Sequence, residues 1–202
     1  VDDSVTLIDT VKESSFELYL EKIRELLPQD KGIDYLIINH MEPDHSGSIN
    51  LLRELYPEMQ IIGNKQTKRF LEGFFGITEN VQTVKEGDTL DLGEHVLQFH
   101  MTPMLHWPET MMTYETSNKV LFPGDAFGTF GALAGGVFDD EVNISWYEDE
   151  ALRYFSNIVG KYSGMVQKAM KNLASIDIDI LASTHGPVWR QNPQRILELY
   201  DK

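Results

Sequence analysis

The stretch that most constrains this chain is "DYLIIN" at positions 34–39, which runs directly into "HMEPDHSGS" at 40–48. The first part is apolar enough for a buried strand. The second packs His40, Glu42, Asp44 and His45 into six consecutive positions of a chain with only six histidines and no cysteine. Pro43, Asp44, Ser46 and Gly47 are turn residues, and a polar turn after a strand is the ordinary reading of such a sequence. Four metal-competent side chains in near alternation ask for more, because a loop leaving the C-terminal end of a rigid strand can converge them on one or two ions.

The same arrangement recurs downstream. "LHWPET" places His106 in a loop between strands, "LFPGDAFG" puts Asp125 directly after a strand, and "LASTHGPVW" does the same for His185 at the end of the last strand. Each alone is an ordinary turn residue. Together they make four histidines and three acids in strand-end positions, where a packed scaffold holds a site rigidly. His95 and His100 fall in a strand-like segment without an acidic loop beside them, and are read as structural or solvated. Met101, Met104, Met111 and Met112 are read as core filler rather than as soft-metal ligands.

Composition narrows the chemistry. With 32 acidic and 17 basic residues the formal charge is -15, which argues against nucleic acid and anionic membrane as partners. The absence of cysteine removes disulfides, iron–sulfur clusters and thiolate zinc sites, leaves His and carboxylate as the strong ligands, and suits a cytoplasmic location. No apolar run approaches the roughly 18 to 20 residues of a membrane span. There is no Gly-rich phosphate loop, no G-x-S-x-G elbow and no basic-aromatic patch.

Periodicity predicts strands near Val5–Ile8, Asp34–Asn39, Met59–Ile62 and Val81–Val84, alternating with helices. Ser14-x-x-Glu17 reads as a capping box ahead of a helix with Phe16, Leu20, Ile23 and Leu27 on one face. A second helix runs through Leu51, Leu52 and Leu55, and a third over Lys65–Phe75. From about Thr89 the texture changes to short strands with turn signals; helices return at Trp146–Tyr162 and Met165–Leu173, followed by a strand at Ile180–Ser183 and a terminal helix. A mixed α/β architecture with sheets sandwiched by helices follows, in a single domain over 1–202.

His40-x-Glu42-x-Asp44-His45, then His106, Asp125 and His185, with the flanking "DHSGS", "LHWPET", "GDAFG" and "THGPVW", resemble the seven ligands of the flavodiiron proteins, the diiron branch of the metallo-β-lactamase fold. The resemblance covers the chain from its first strand to its end. It implies an α/β fold, the metallo-β-lactamase-like αβ/βα sandwich. It also implies two iron ions with an oxo or hydroxo bridge, one held by His40, Glu42 and His106, the other by Asp44, His45 and His185, with Asp125 shared. No separate protein acid or base is assigned. Glu42 is the telling position, since hydrolytic members of the fold carry His there and bind zinc, whereas a carboxylate favours iron.

The activity implied is reduction of O₂ to water, or of NO to N₂O, in a homodimer, with electrons from a rubredoxin-like or flavoprotein donor. Two further readings are a stand-alone diiron O₂-binding sensor and a dizinc hydrolase. The sequence departs from the family pattern in three places. Only 17 residues follow His185, so a flavodoxin-like domain is not expected and FMN is expected only on a domain or partner outside this chain. The family's strands before "VTLIDT" are expected to be missing or trimmed. Phe130 and Phe155 stand where many relatives carry His and Tyr, which predicts the loss of two hydrogen-bond donors near a bound diatomic.

Overall fold

The structure, a computed structural model, describes residues 2–28 and 31–201. The first half alternates strands and helices: β1 (Thr6–Ile8), α1 (Phe16–Leu26), β2 (Tyr35–Ile37), a single turn of helix α2 (Pro43–Ser46), α3 (Ile49–Leu55), β3 (Gln60–Gly63), α4 (Lys65–Phe70) and β4 (Val81–Thr83). Helical crossovers force the strands parallel, and they lie in the order β1-β2-β3-β4, with Leu7 opposite Leu36 and Leu36 opposite Ile61.

The second half begins with a meander of β5 (Thr89–Asp91), β6 (Val96–Met101), β7 (Met111–Glu115) and β8 (Val120–Phe122), all antiparallel. Helices α5 (Ser145–Tyr154) and α6 (Ser163–Leu173) follow, then β9 (Ile180–Leu181), which joins β8 in parallel, and α7 (Pro193–Asp201).

Alternation of side chains across each strand sorts the core into layers. Leu36 and Ile38 of the β2 segment point to a cluster shared with Phe16, Leu20 and Ile23 of α1 and Ile49 and Leu52 of α3. Ile37 points the other way and meets Ile62, Leu97, Phe99 and Met111 between the two sheets. On the far side of the second sheet, Met112 and Leu121 pack with Ala151, Val166 and Ile196 of α5, α6 and α7. The result is helix, sheet, sheet, helix, the αβ/βα sandwich.

Local details depart from the sequence reading. The capping box at Ser14 and Glu17 does not form: the chain enters α1 through a 3₁₀ turn at Glu13–Ser15, and no side chain caps the helix. Leu27 is half-buried against the first core layer but lies beyond the helix, in extended geometry, as the residue before Pro28 must. The helix expected over 146–162 stops at Tyr154 and continues as a wide π turn over Phe155–Val159 and a 3₁₀ turn to Tyr162. Likewise α4 passes into a π turn at Leu71–Phe75. Met111 and Met112 are buried in the core, as filler should be.

Candidate metal centre

All seven ligand-type side chains arrive at one end of the sandwich, from both sheets. Four follow β2, where the ladder ends at Ile37 and the backbone of Asn39 turns to other partners: its N–H donates to Asp9 and its carbonyl accepts from Met111 N–H. Asp44 and His45 do not sit in an open loop, as expected, but on α2, started by Pro43 at its first position. His106 comes from the β6–β7 connection, Asp125 from the turn after β8, and His185 from the turn after β9.

They meet as two groups. In the first, His40 Nε2 lies 3.3 Å from Glu42 Oε2 and 3.3 Å from His106 Nε2. His106 Nε2 in turn lies 3.0 Å from Glu42 Oε2 and 3.1 Å from Asp125 Oδ2. In the second, His45 Nε2 is 2.7 Å from Asp125 Oδ1, and His185 Nε2 is 3.2 Å from Asp125 Oδ1 and 3.4 Å from Asp44 Oδ2. Asp125 thus offers one oxygen to each group. Ligand atoms held about 2.1 Å from one cation are separated by roughly 3.0 to 3.4 Å, depending on coordination geometry, so both sets have the spacing of a coordination shell.

The chemistry of the donors fits a metal better than it fits a hydrogen-bond network. His45 Nε2 and Asp125 Oδ1 are buried and make no hydrogen bond, although they face each other. Buried polar atoms are normally satisfied. A cation between them would satisfy both, and a second one in the first group would relieve the Nε2 atoms of His40 and His106 that point at one another. With four imidazoles, three carboxylates and no thiolate, the set suits a borderline or hard divalent ion.

Two buried carboxylates back this set. Glu109 Oε1 accepts from His40 Nδ1 at 2.8 Å and from Met41 N–H at 2.9 Å. Asp9 Oδ2 lies 3.0 Å from His45 Nδ1, and Asp9 Oδ1 accepts from the backbone N–H of Asn39 and His40 at 2.7 and 3.3 Å. Burial opposes the charged imidazolium of His40, but Glu109 and Glu42 outweigh it and raise its pKa to about 9. For His45 the same contest against burial is won by Asp125 and Asp9, which raise it to about 11. Burial would raise the Asp125 carboxyl, yet the contacts of His106, His185 and His45 hold it well below the usual carboxylate range. Glu42 is lowered by His40 despite its partial burial.

A cavity of about 520 Å³ opens over the two groups, lined on one side by Glu42, Asp44, His106 and His185 and on the other by Phe130, Leu133, Tyr154 and Ile158. Phe130 takes its expected place there, stacked against Tyr154 at 5.0 Å between ring centroids and covered by the Arg153 guanidinium. Phe155 does not. It turns into the core against Tyr200, and the side chain that reaches the cavity is the preceding Tyr154. A phenol is therefore present, its pKa raised strongly by burial and by the charge of Asp125.

Sequence reasoning missed Asp9, Glu109 and Tyr154. Glu109 lies within the "LHWPET" segment and Asp9 ends the first apolar strand, an acid following a strand as Asp125 does, so the same rule applied without exception would have found it. His95 and His100 stay away from the centre; their carboxylate neighbours are Asp2 and Glu86 respectively.

Comparison with known proteins gives the family and the fold. Residues 1–186 match the family described as ODP family beta lactamase. A nitric oxide reductase of Moorella thermoacetica is 36% identical over 204 residues, which cover 99% of this chain and 50% of that protein. An anaerobic nitric oxide reductase flavorubredoxin of Vibrio vulnificus is 36% identical, over 98% of this chain and 41% of its own length. The chain thus spans about half the length of the curated relatives it matches. Among solved structures, the rubredoxin oxygen:oxidoreductase of Desulfovibrio gigas superposes with a TM-score of 0.91 at 31% identity, covering 99% of this chain and 51% of that one. The flavodiiron protein of Giardia intestinalis superposes with a TM-score of 0.92 at 30% identity, covering 99% and 49%. Matched over nearly its whole length in sequence and in fold, the chain belongs to the ODP family of beta lactamases and has the metallo-β-lactamase-like fold of the flavodiiron core.

Proposed function

We propose that this chain is the diiron core of an oxidoreductase that reduces O₂ to water or NO to N₂O with electrons from an external donor. His40, Glu42 and His106 would hold one iron, Asp44, His45 and His185 the other, and Asp125 would bridge them. One observation carries the reading: the two oxygens of a single buried carboxylate face two separate groups of ligand-type atoms. The names of the relatives, nitric oxide reductase and rubredoxin oxygen:oxidoreductase, support the substrates and a rubredoxin-like donor. FMN would sit on a domain or partner outside these residues. A homodimer, a cytoplasmic location and a single domain over 1–202 belong to the same reading; no described helix is long and apolar enough to cross a membrane.

Iron held by these residues would supply the electrons, two from a pair of ferrous ions. The chain does the rest. Glu42 and Asp44, each about one-third exposed, form the floor of the cavity with the more buried Asp125, so the ligand-facing side of the centre is reached from solvent while His40 and His45 stay behind it. Phe130, Leu133 and Ile158 give the opposite wall an apolar surface that admits a small neutral molecule and resists ordered water. Tyr154 keeps its proton throughout the physiological range and holds an O–H donor at that wall.

Glu42 distinguishes this reading from a dizinc hydrolase, since its carboxylate lies within the first group where hydrolytic members of the fold carry an imidazole. The test is gas consumption by the iron-loaded chain, measured by oxygen and nitric oxide electrodes with and without a reduced rubredoxin or flavoprotein. Sustained donor-dependent consumption is expected. No turnover with any donor, together with reversible O₂ binding, would favour the sensor.

A further inference from the structure

Each of the two groups contains one histidine whose second ring nitrogen is gripped by a buried carboxylate, and one whose second nitrogen has no partner among the described residues. His40 and His45 are the gripped pair; His106 and His185 are the free pair. Of the two carboxylates, Glu109 is the harder to explain as packing. Its side chain is 0% exposed, no lysine or arginine pairs with it among the described residues, and Oε2 is buried without any partner. Such a group is costly to bury. Among the described residues its side-chain hydrogen-bond partners are the His40 ring and the Met41 N–H, both through Oε1.

We propose that Glu109 is the positioning residue of the first metal site: its carboxylate holds His40 with Nδ1–H donating to Oε1, so that the Nε2 lone pair is fixed toward Glu42, His106 and Asp125. The inference rests on the two-metal reading above. Because the same oxygen also accepts from Met41 N–H, the ring is fixed relative to the backbone that carries it, and rotation of His40 away from the group would break a second bond. A negative acceptor also makes the imidazole a better donor to a cation than a neutral one would. Tethering of the loop is a separate matter, since Asn64 Nδ2 donates to the backbone carbonyl of Glu109 and keeps that segment in place whatever side chain stands there.

The experiment uses the full chain, stripped of metal and titrated with Co²⁺ as the probe. Wild type should take up two ions in two resolvable steps. In Glu109→Gln, which keeps the shape and an acceptor oxygen but removes the charge, one step should weaken about 10- to 100-fold while the other stays within about threefold. Glu109→Asp, too short to reach the ring, should behave likewise. Unchanged affinity at both steps, or equal loss at both, would overturn the assignment. A second measurement needs no variant. In the Co²⁺-loaded wild type, the shifted ring N–H resonances should divide into two that exchange slowly with solvent, His40 and His45, and two that exchange fast, and one slow signal should move selectively in Glu109→Gln. Four equally fast signals would overturn it. Failure of the wild type to bind two Co²⁺ would instead sink the two-metal reading, and is told apart because it appears without mutation.

Discussion

Asp125 has one oxygen 3.1 Å from His106 and the other 2.7 Å from His45, so a single carboxylate touches both groups. Asp125→Asn keeps the shape but halves the acceptor capacity and removes the shared charge. Metal content after mild chelation should fall at both sites, by about 10-fold or more in affinity, whereas His185→Ala should empty chiefly one. Equal, site-selective losses from the two variants would contradict the bridge. Protons compete with metal here, and the sign is fixed by the histidines. In the metal-free chain His40 and His45 have pKa values raised to about 9 and 11. Their ion pairs therefore stabilise the empty fold fully below the unfolded histidine value of about 6.5, and that contribution is lost as pH rises through those raised values. Metal uptake runs the other way: it must expel these protons, so affinity should tighten from about pH 6 to 8 with measurable proton release. A chelator competition showing flat or falling affinity over that range would contradict the assignment. The seven side chains that the fold brings together stand out in the sequence because metal-competent types crowd strand ends. Glu109 stands out less, since a single acid in a turn carries no spacing signal; Asp9 follows a strand as Asp125 does, but only the folded chain shows which ring each of the two meets.

At the scale of elements, the site depends on where strands stop and how tightly their turns are packed. Gly47 follows α2, and a Cβ there would lie 2.6 Å from the Pro43 carbonyl and 3.1 Å from the backbone at Lys12 and Glu13. None of these atoms is a flexible side chain, so Gly47→Ala should cost about 1 to 3 kcal/mol and shift the turn that carries Asp44 and His45. Urea unfolding of the metal-free chain checks the first part; a midpoint equal to wild type would show that the turn has room to relax. Hydrophobic period predicted the strands and helices that build the layers, because burial on one face leaves a repeating mark. It could not predict the turns. The capping box at Ser14 lost to a 3₁₀ entry, and the helix phase puts Tyr154 rather than its neighbour Phe155 at the cavity. That single step exchanges a phenyl for a phenol at the wall. Tyr154→Phe should accordingly leave metal content within about twofold and slow gas reduction by about 10-fold or more, the range for loss of one positioned donor; an unchanged rate would remove Tyr154 from the chemistry.

At the scale of the molecule, the centre is a seam. His40, Glu42, Asp44 and His45 come from the parallel sheet, and His106, Asp125 and His185 from the other, with the layer that includes Ile37, Ile62, Leu97, Phe99 and Met111 between the sheets. Metal should therefore tie the halves together, raising the unfolding midpoint by mass action and giving one transition by both far-ultraviolet dichroism and metal absorbance. The account as a whole stands on there being two irons joined through Asp125. The measurement that tests this most directly is the Mössbauer spectrum of the chain produced with ⁵⁷Fe, read together with its metal content. Two irons per chain in one spin-coupled pair are predicted. A fully occupied site holding two zinc ions from iron-replete cells, or two magnetically independent irons, would contradict it.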